Sequence, residues 1–409
     1  MDPAHAAIAS AARHSRAQLL AFLAARAGGD VAAAEDALSE AFAAALTQWP
    51  ATGVPDKPEA WLLTAARRRL IDWQRRGATR LHAMAALHQA LEAAQTVVDA
   101  GHDFPDERLK LLFVCAHRAI DPAARTPLML QTVLGLEAER IASAFLTSPA
   151  AMSQRLVRAK TRIRDAGIPF TVPDRAEWPE RLAFVLDAIY AAFTCGWDTL
   201  PDGSSAPQDL ASEAIWLARV LVHLVPEEPE ALGLLALLLH SESRRAARLI
   251  AGKFIPLPEQ DPAQSDQDMT DEAEALLHRA ARLKRPGRFQ LEAAIQSVHT
   301  SRRITGSIHW PGILALYAAL LRDTGALGAH IGRAIALAYV QNPGAGLAAL
   351  DAIAGHPLEQ HQQWHAARAH LLHRLGSIPA ARAAYQKAIG LTSDPAVRAF
   401  LMGKVRQLL

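Results

Sequence analysis

A chain of 409 residues that is 51% apolar and carries a formal net charge of +2 is long enough for roughly two to four domains with real cores, and is neither disordered nor a polycation. Two distant cysteines, Cys115 and Cys195, in apolar surroundings exclude a disulfide framework, and 17 histidines without paired ligand spacing give no reason to expect a metal or cofactor. The N-terminus has Asp2 and no apolar core, and the longest apolar run, Ala231–Leu239, is about half a bilayer span, so a soluble cytoplasmic protein with no membrane partner is expected.

Alanine and leucine dominate, and prolines and glycines fall between periodic segments, which predicts an all-α chain. The first amphipathic helix is predicted over 4–27, closed by Gly28-Gly29. Asp30 caps a second helix over 31–48, with Val31, Ala34, Leu38, Phe42, Ala45 and Leu46 inward and Glu35, Asp36, Ser39 and Glu40 outward. That acidic face is either simply solvated or a docking face for a basic partner. Three prolines and Gly53 predict an ordered loop over Pro50–Pro58. A third helix, EAWLLTAARRRLIDWQRR, crowds Arg67, Arg68, Arg69, Arg75 and Arg76 on its outer part, a composition that suits either strand-separated DNA or a plain basic surface. Residues 78–105 carry a weak pattern of Leu81, Met84, Leu87 and Leu91, broken at Gly101–Pro105, and read as a linker.

Two helices split at Asp121-Pro122 lead into LEAERIASAFLTSPAAMSQRLVRAKTRIR, Leu136–Arg164. Here a short helix turns at Phe145-Leu146-Thr147, and Ser148 caps a second helix with Pro149 at its first position. Met152, Leu156, Ala159 and Ile163 face inward, which leaves Ser153, Gln154, Val157 and Arg158 outside, followed by Lys160, Arg162 and Arg164. A polar, cationic face on the second helix of such a pair is how a helix-turn-helix reads a major groove; the alternative is an amphipathic hairpin with a solvated basic face.

From 168 to 409 helices follow throughout, among them 178–195, 208–225, 229–250, 270–284 and 287–303. Near the end, Gly376, Ala381, Tyr385 and Ala388 have the spacing of a tetratricopeptide (TPR) hairpin, and the region reads as a TPR-like repeat domain able to hold a protein or peptide ligand. The stretch Glu259–Glu274 has seven acids and no base; it reads as a solvated loop, or as a mimic of DNA placed against Arg67–Arg76. The chain has no Gly-rich phosphate loop, paired metal ligands or nucleophile motif, so an enzyme is not expected.

The order of AEDALSEAF, AWLLTAARRRLIDWQRR, a linker and AMSQRLVRAKTRIRDAG resembles an extracytoplasmic-function (ECF) sigma factor of bacterial RNA polymerase. The resemblance implies a region 2 helical domain over 1–77, a linker over 78–105, a region 4 helix-turn-helix domain over 106–167 and the TPR-like helical domain over 168–409. Its partners would be core polymerase, through the β′ clamp helices and the β subunit, and promoter DNA. Asp36, Ser39 and Glu40 match the core-docking motif, with serine where relatives commonly have glutamine. The loop Pro50–Pro58 matches the one that pockets a flipped −10 base. Arg68 and Asp72 match positions facing the −10 bases, and Arg67, Arg69, Arg75 and Arg76 would meet phosphates. Ser153, Gln154, Val157 and Arg158 match the −35 reading positions, with Arg158 on a base and Arg155 on phosphate.

The C-terminal half, through IPFTVP, FQLEAAIQSVHT, HWPGILALYAAL and GRAIALAYVQNPGAGLAALD, resembles the extension of ECF42-type sigma factors. It departs from that group at Thr194-Cys195-Gly196-Trp197, at Gly332 and near 262–270. The resemblance implies that this half modulates transcription. The competing reading is a TPR-like interaction protein whose sigma module has decayed.

Overall fold

The computed structural model describes residues 3–76, 107–145, 147–198, 206–354 and 358–408, with the side chains of 72–76, 143, 144, 175, 198 and 206–209 not among those described. The linker expected at 78–105 lies outside the described residues. The described chain is all-α apart from one ladder of two-residue strands, and divides into two compact units.

The first unit comprises Met1–Gly196 and Ser204–Leu217. It holds α1 (Pro3–His14), α2 (Arg16–Arg26), α3 (Val31–Thr52), α4 (Pro58–Arg76), α5 (Arg108–Cys115), α6 (Pro122–Thr132), α7 (Ala138–Ala144), α8 (Pro149–Asp165), nearly all of α9 (Trp178–Asp198) and the first part of α10 (Ala206–Leu224). Its centre is α2, where Leu19 to Ala24 are all buried. A helix that is apolar all round must be covered all round, and α2 touches α3, α4, α5 and α6. The helices before and after residues 77–106 therefore share one core.

Helix α9 belongs to the same body. Arg125, 4% exposed, donates to Glu180 Oε1 at 3.3 Å and lies 4.5 Å over the Phe184 ring. Arg140 Nη2 donates to the Cys195 carbonyl at 2.9 Å, and the buried Arg108 pairs with Glu213 of α10. The boundary expected at residue 168 thus falls inside this unit.

Two expectations are corrected here. The single helix expected over 4–27 divides at Ser15, whose hydroxyl donates to Glu59 Oε1 of α4 at 3.0 Å. The loop expected over Pro50–Pro58 shrinks to residues 53–57, because α3 runs on through Pro50 to Thr52 and Pro58 begins α4. Proline inside a helix removes one hydrogen bond. The adjacent Trp49 offsets that loss: it is 1% exposed and packs edge-on against Trp61, with ring centroids 5.5 Å apart. Gly53, at φ 88°, then ends the helix with its N–H on the Trp49 carbonyl.

The second unit comprises Trp197–Gly203 and Ala218–Leu409. Its helices are α11 (Pro229–Ser243), α12 (Gln267–Arg282), α13 (Arg288–Thr300), α14 (Trp310–Asp323), α15 (Leu327–Val340), α16 (Pro343–Asp351), α17 (Gln362–Arg374), α18 (Ile378–Leu391) and α19 (Pro395–Arg406). Helix α11 is buried along almost its whole length between α12 and α13, and from α13 onward each helix packs on the next. Close approach of α15 and α16 requires Gly346: a Cβ there would stand 2.5 Å from the Ala338 Cβ. Gly376, at φ 74°, makes the turn from α17 to α18, and Ala381, Tyr385 and Ala388 are buried in that hairpin's seam with Ala369 and Leu372.

The helix expected over 229–250 ends at Ser243. A single turn follows, then strands β1 (Leu249–Ile250) and β2 (Lys253–Phe254), paired antiparallel. Ala251 and Gly252 both have positive φ, 49° and 76°, the backbone of a two-residue hairpin turn, which no helix accommodates. The acidic loop expected over Glu259–Glu274 is also corrected, since α12 begins at Gln267 and most of its acids have local work. Asp261 and Asp266 accept from the backbone N–H groups of Ala263 and Met269, Asp271 from Gln267, Glu272 pairs with Arg219 at 2.6 Å, and Glu274 accepts from Ser297 Oγ at 2.6 Å. Carboxylates tied to helix starts and to neighbours in the same unit are poor mimics of a phosphate row.

Candidate nucleic-acid interface

Two surfaces of the first unit carry the residues singled out above. The first is the outer side of the α3–α4 hairpin. Ala34, Ala37, Leu38 and Ala41 are buried on α3, so Asp36, Ser39 and Glu40, spaced three and four apart, form one exposed acidic strip. On α4 the buried Leu62, Leu63, Ala66 and Leu70 leave Arg68 and Arg69 exposed, whereas Arg67 is half-buried. Arg69 Nε lies 3.1 Å from Glu40 Oε2, both more than half exposed, a pair worth little in stability that ties the acidic strip to the arginine face. The side chains of Asp72, Arg75 and Arg76 lie outside the described residues.

The second surface is α8, set across a turn from α7. Ser148 is extended, and its Oγ accepts from the Ala151 N–H at 3.3 Å; Pro149 follows as the first helical residue. Met152, Leu156, Ala159 and Ile163 are buried against the unit, with Ile141 and Ala142 of α7 beside them. Ser153, Gln154, Val157 and Arg158 are exposed, Val157 at 63%. Arg158 Nη2 donates to Gln154 Oε1 at 3.3 Å, so the two side chains lie together on the outer face. Replacing Ser148 by Ala removes the cap and is expected to cost about 1 kcal/mol. A thermal melt of the full chain with an unchanged first transition would show that the cap contributes nothing.

The remaining cations of α8 divide in a way the sequence pattern did not reveal. Arg155 is half-buried and reaches the Ala123 carbonyl at 3.5 Å, and Arg162 Nε donates to the Ala119 carbonyl at 3.2 Å. Both lean across a groove of about 540 Å³ between α8 and the α5–α6 connection. Lys160, read from the sequence as part of the basic face, instead turns inward. Its Nζ sits 2.5 Å from Glu35 Oε2 of α3, with the two side chains only 11% and 16% exposed. Close by, a Cβ on Gly29 would come within 3.1 Å of the Ile168 carbonyl. Helices α3 and α8 are thus clasped in one unit, with their outer faces open.

Burial governs the titrating groups nearby. It pushes the Cys115 thiol up to about 12, only partly offset by the Thr132 hydroxyl, so this cysteine is a buried apolar filler and not a nucleophile. Cys195 is half-buried and also unbridged. Burial lowers Arg26 as well, opposed by the Glu107 carboxylate. Among the described residues, no group of three or more His, Cys, Asp and Glu side chains is placed to hold a metal ion, and no helix is long and apolar enough to cross a membrane.

Comparison with known proteins places two families on these helices. The sigma-70 region 2 family matches residues 13–80, which span α2, α3 and α4, and a family of unknown function, DUF6596, matches residues 181–281. An uncharacterized protein of Rhizobium meliloti is 39% identical over 375 residues, covering 90% of this chain and 88% of the relative. A probable ECF RNA polymerase sigma factor SigI of Mycobacterium tuberculosis is 28% identical over 171 residues, covering 41% of this chain and 58% of that protein. No solved structure matches.

Proposed function

Since the chain belongs to the family of that Rhizobium meliloti protein and carries a sigma-70 region 2, we propose that it is a sigma factor of the ECF type, which joins bacterial core RNA polymerase and directs promoter-specific initiation. The observation that carries this reading is the position of the region 2 match. It falls on the two helices that expose Asp36, Ser39 and Glu40 beside Arg68 and Arg69, in a unit that also presents the open face of α8.

In this reading Asp36, Ser39 and Glu40 dock on the β′ clamp helices, and region 4 meets the β subunit. The arginines of α4, with Asp72, Arg75 and Arg76, handle the −10 strand, and α8 reads the −35 duplex through Ser153, Gln154, Val157 and Arg158. Arg155 and Arg162 stiffen the α8 groove and supply positive charge behind the phosphates. The basic surfaces are small, which fits a subunit whose polymerase partner provides most of the DNA affinity. The second unit, ECF42-like and TPR-like in its final hairpin, modulates activity through a protein or peptide ligand. The protein works in the cytoplasm, where polymerase is, and has no catalytic chemistry of its own.

The test is multi-round transcription with purified core polymerase, the full chain and a pool of genomic promoter fragments. New start sites are expected with the full chain and not with core alone. No start sites together with no core binding would leave an interaction protein with a decayed sigma module. Within the same experiment, the double variant Asp36→Arg, Glu40→Arg is expected to weaken core binding by about tenfold or more, a loss of at least ~1.4 kcal/mol. Its melting should hardly change, because both residues are exposed. Undiminished core binding by that variant would move the docking surface elsewhere.

A further inference from the structure

Val157 is an apolar residue that the fold does not use. It is 63% exposed in the middle of α8, beside the exposed Ser153, Gln154 and Arg158. The core side of the helix is already filled by Met152, Leu156, Ala159 and Ile163. A β-branched side chain at an exposed helical position is a poorer helix former than the polar long chains around it. Its place there, at the centre of a polar reading face, leaves it open to a partner that is apolar and small.

In a major groove the base edges offer hydrogen-bond donors and acceptors and one apolar group, the 5-methyl of thymine. The side chains flanking Val157 sharpen the choice. Gln154 lies three residues before it and Arg158 directly after it, and Arg158 Nη2 donates to Gln154 Oε1 at 3.3 Å. That bond uses one of the two lone pairs of the Gln154 carbonyl and leaves its amide N–H groups, together with the other N–H groups of Arg158, to donate. The patch is therefore richer in donors than in acceptors around an apolar centre. It suits a purine presenting acceptors, beside a thymine presenting its methyl group.

We propose that Val157 selects a thymine through its 5-methyl group, next to the base held by Arg158 and Gln154. This rests on the reading of the chain as a promoter-recognition subunit and adds one specificity-determining residue to it.

Holoenzyme assembled from core polymerase and the full chain is given templates randomised across the upstream element. Transcripts are sequenced for the wild type and for Val157→Ala. In the wild type a thymine is expected to be enriched at a fixed position. Replacing that thymine by deoxyuridine, which removes the methyl group alone, should lower transcription by about four- to tenfold, the effect of one lost apolar contact. Val157→Ala should use thymine and uracil templates equally, with core binding and melting unchanged, since the side chain is exposed. Three results overturn the proposal while leaving the sigma reading intact: no enriched thymine, equal use of thymine and uracil by the wild type, or a thymine preference kept by Val157→Ala. Failure of the full-chain holoenzyme to transcribe any template would bring down both.

Discussion

Lys160→Glu will loosen the first unit, and the paired exchange Glu35→Lys, Lys160→Glu will restore it. The expectation follows from where the ion pair sits. Lys160 Nζ and Glu35 Oε2 are 2.5 Å apart, with 11% and 16% of their side chains exposed, so water screens them weakly. Removing one partner of such a pair leaves a partly desolvated charge, and placing a second carboxylate there adds repulsion. The cost should approach the lower end of that for a fully buried broken pair, about 3 kcal/mol. Because α2 also packs on both α3 and α5, the unit should not unfold outright. Hydrogen exchange of the full chain should show faster exchange in α3 and α8, a lowered first melting transition, and recovery in the charge-swapped protein. Identical exchange in wild type and Lys160→Glu would mean that the pair clasps nothing. Core binding should persist in the variant, because Asp36, Ser39 and Glu40 are exposed while the clasp is closed. That outcome separates the clasp between α3 and α8 from the proposed docking strip.

The second unit will lose stability as pH falls from about 6.5 to about 4. His240, His299 and His370 all belong to it, and burial, reinforced by nearby arginines, lowers each from 6.5 to about 4. A histidine that binds its proton less readily folded than unfolded contributes stability in full above the unfolded value. The contribution drains away as pH drops through 6.5, where the unfolded chain takes up protons first, and is gone near 4. For His240 the span corresponds to about 3 kcal/mol at 1.36 kcal/mol per pH unit; His299 and His370, partly exposed, should contribute less. Glu274 Oε1 stands 3.5 Å from His240 Nε2 and would favour the charged ring, but it is already held by Ser297 Oγ at 2.6 Å. Complete burial of the ring, with Arg244 just past the end of the same helix, outweighs it. Urea titrations of the full chain between pH 7.5 and 4.5 should show the second unit's midpoint falling steadily below 6.5. In His240→Leu that fall should shrink. Superimposable acid profiles for the two proteins would rule out His240 as a source.

Much of the candidate interface was legible in the chain. The inward set Met152, Leu156, Ala159 and Ile163 repeats at helical spacing, so its complement Ser153, Gln154, Val157 and Arg158 followed by geometry. Ser148-Pro149 marked the start of α8 because a side-chain acceptor and a missing N–H each have one natural place on a helix. The exposed strip of Asp36, Ser39 and Glu40 followed in the same way from the buried alanines and leucine beside it. Lys160 was not legible. It stands four residues after the inward Leu156 and three before Ile163, at the margin of the inward stripe, and a long flexible side chain there can go either way. Its direction is decided by a carboxylate on α3, 125 residues earlier in the chain.

What the sequence determined by itself is local in origin: an almost wholly helical chain, the starts of its helices, and which face of each turns inward. These depend on spacing and on backbone chemistry within a few residues. What only the tertiary structure decided depends on partners distant in sequence. Pro50 stays helical because Trp49 has Trp61 to pack against. Helix α9 joins the first unit because Arg125 and Arg140 meet Glu180, Phe184 and the Cys195 carbonyl. The acids of Glu259–Glu274 cease to be a free negative surface once Arg219 and Ser297 reach them. In each case a local preference worth about 1–3 kcal/mol meets a packed or charged neighbour of equal or greater weight. No pattern along the chain states which neighbour that will be.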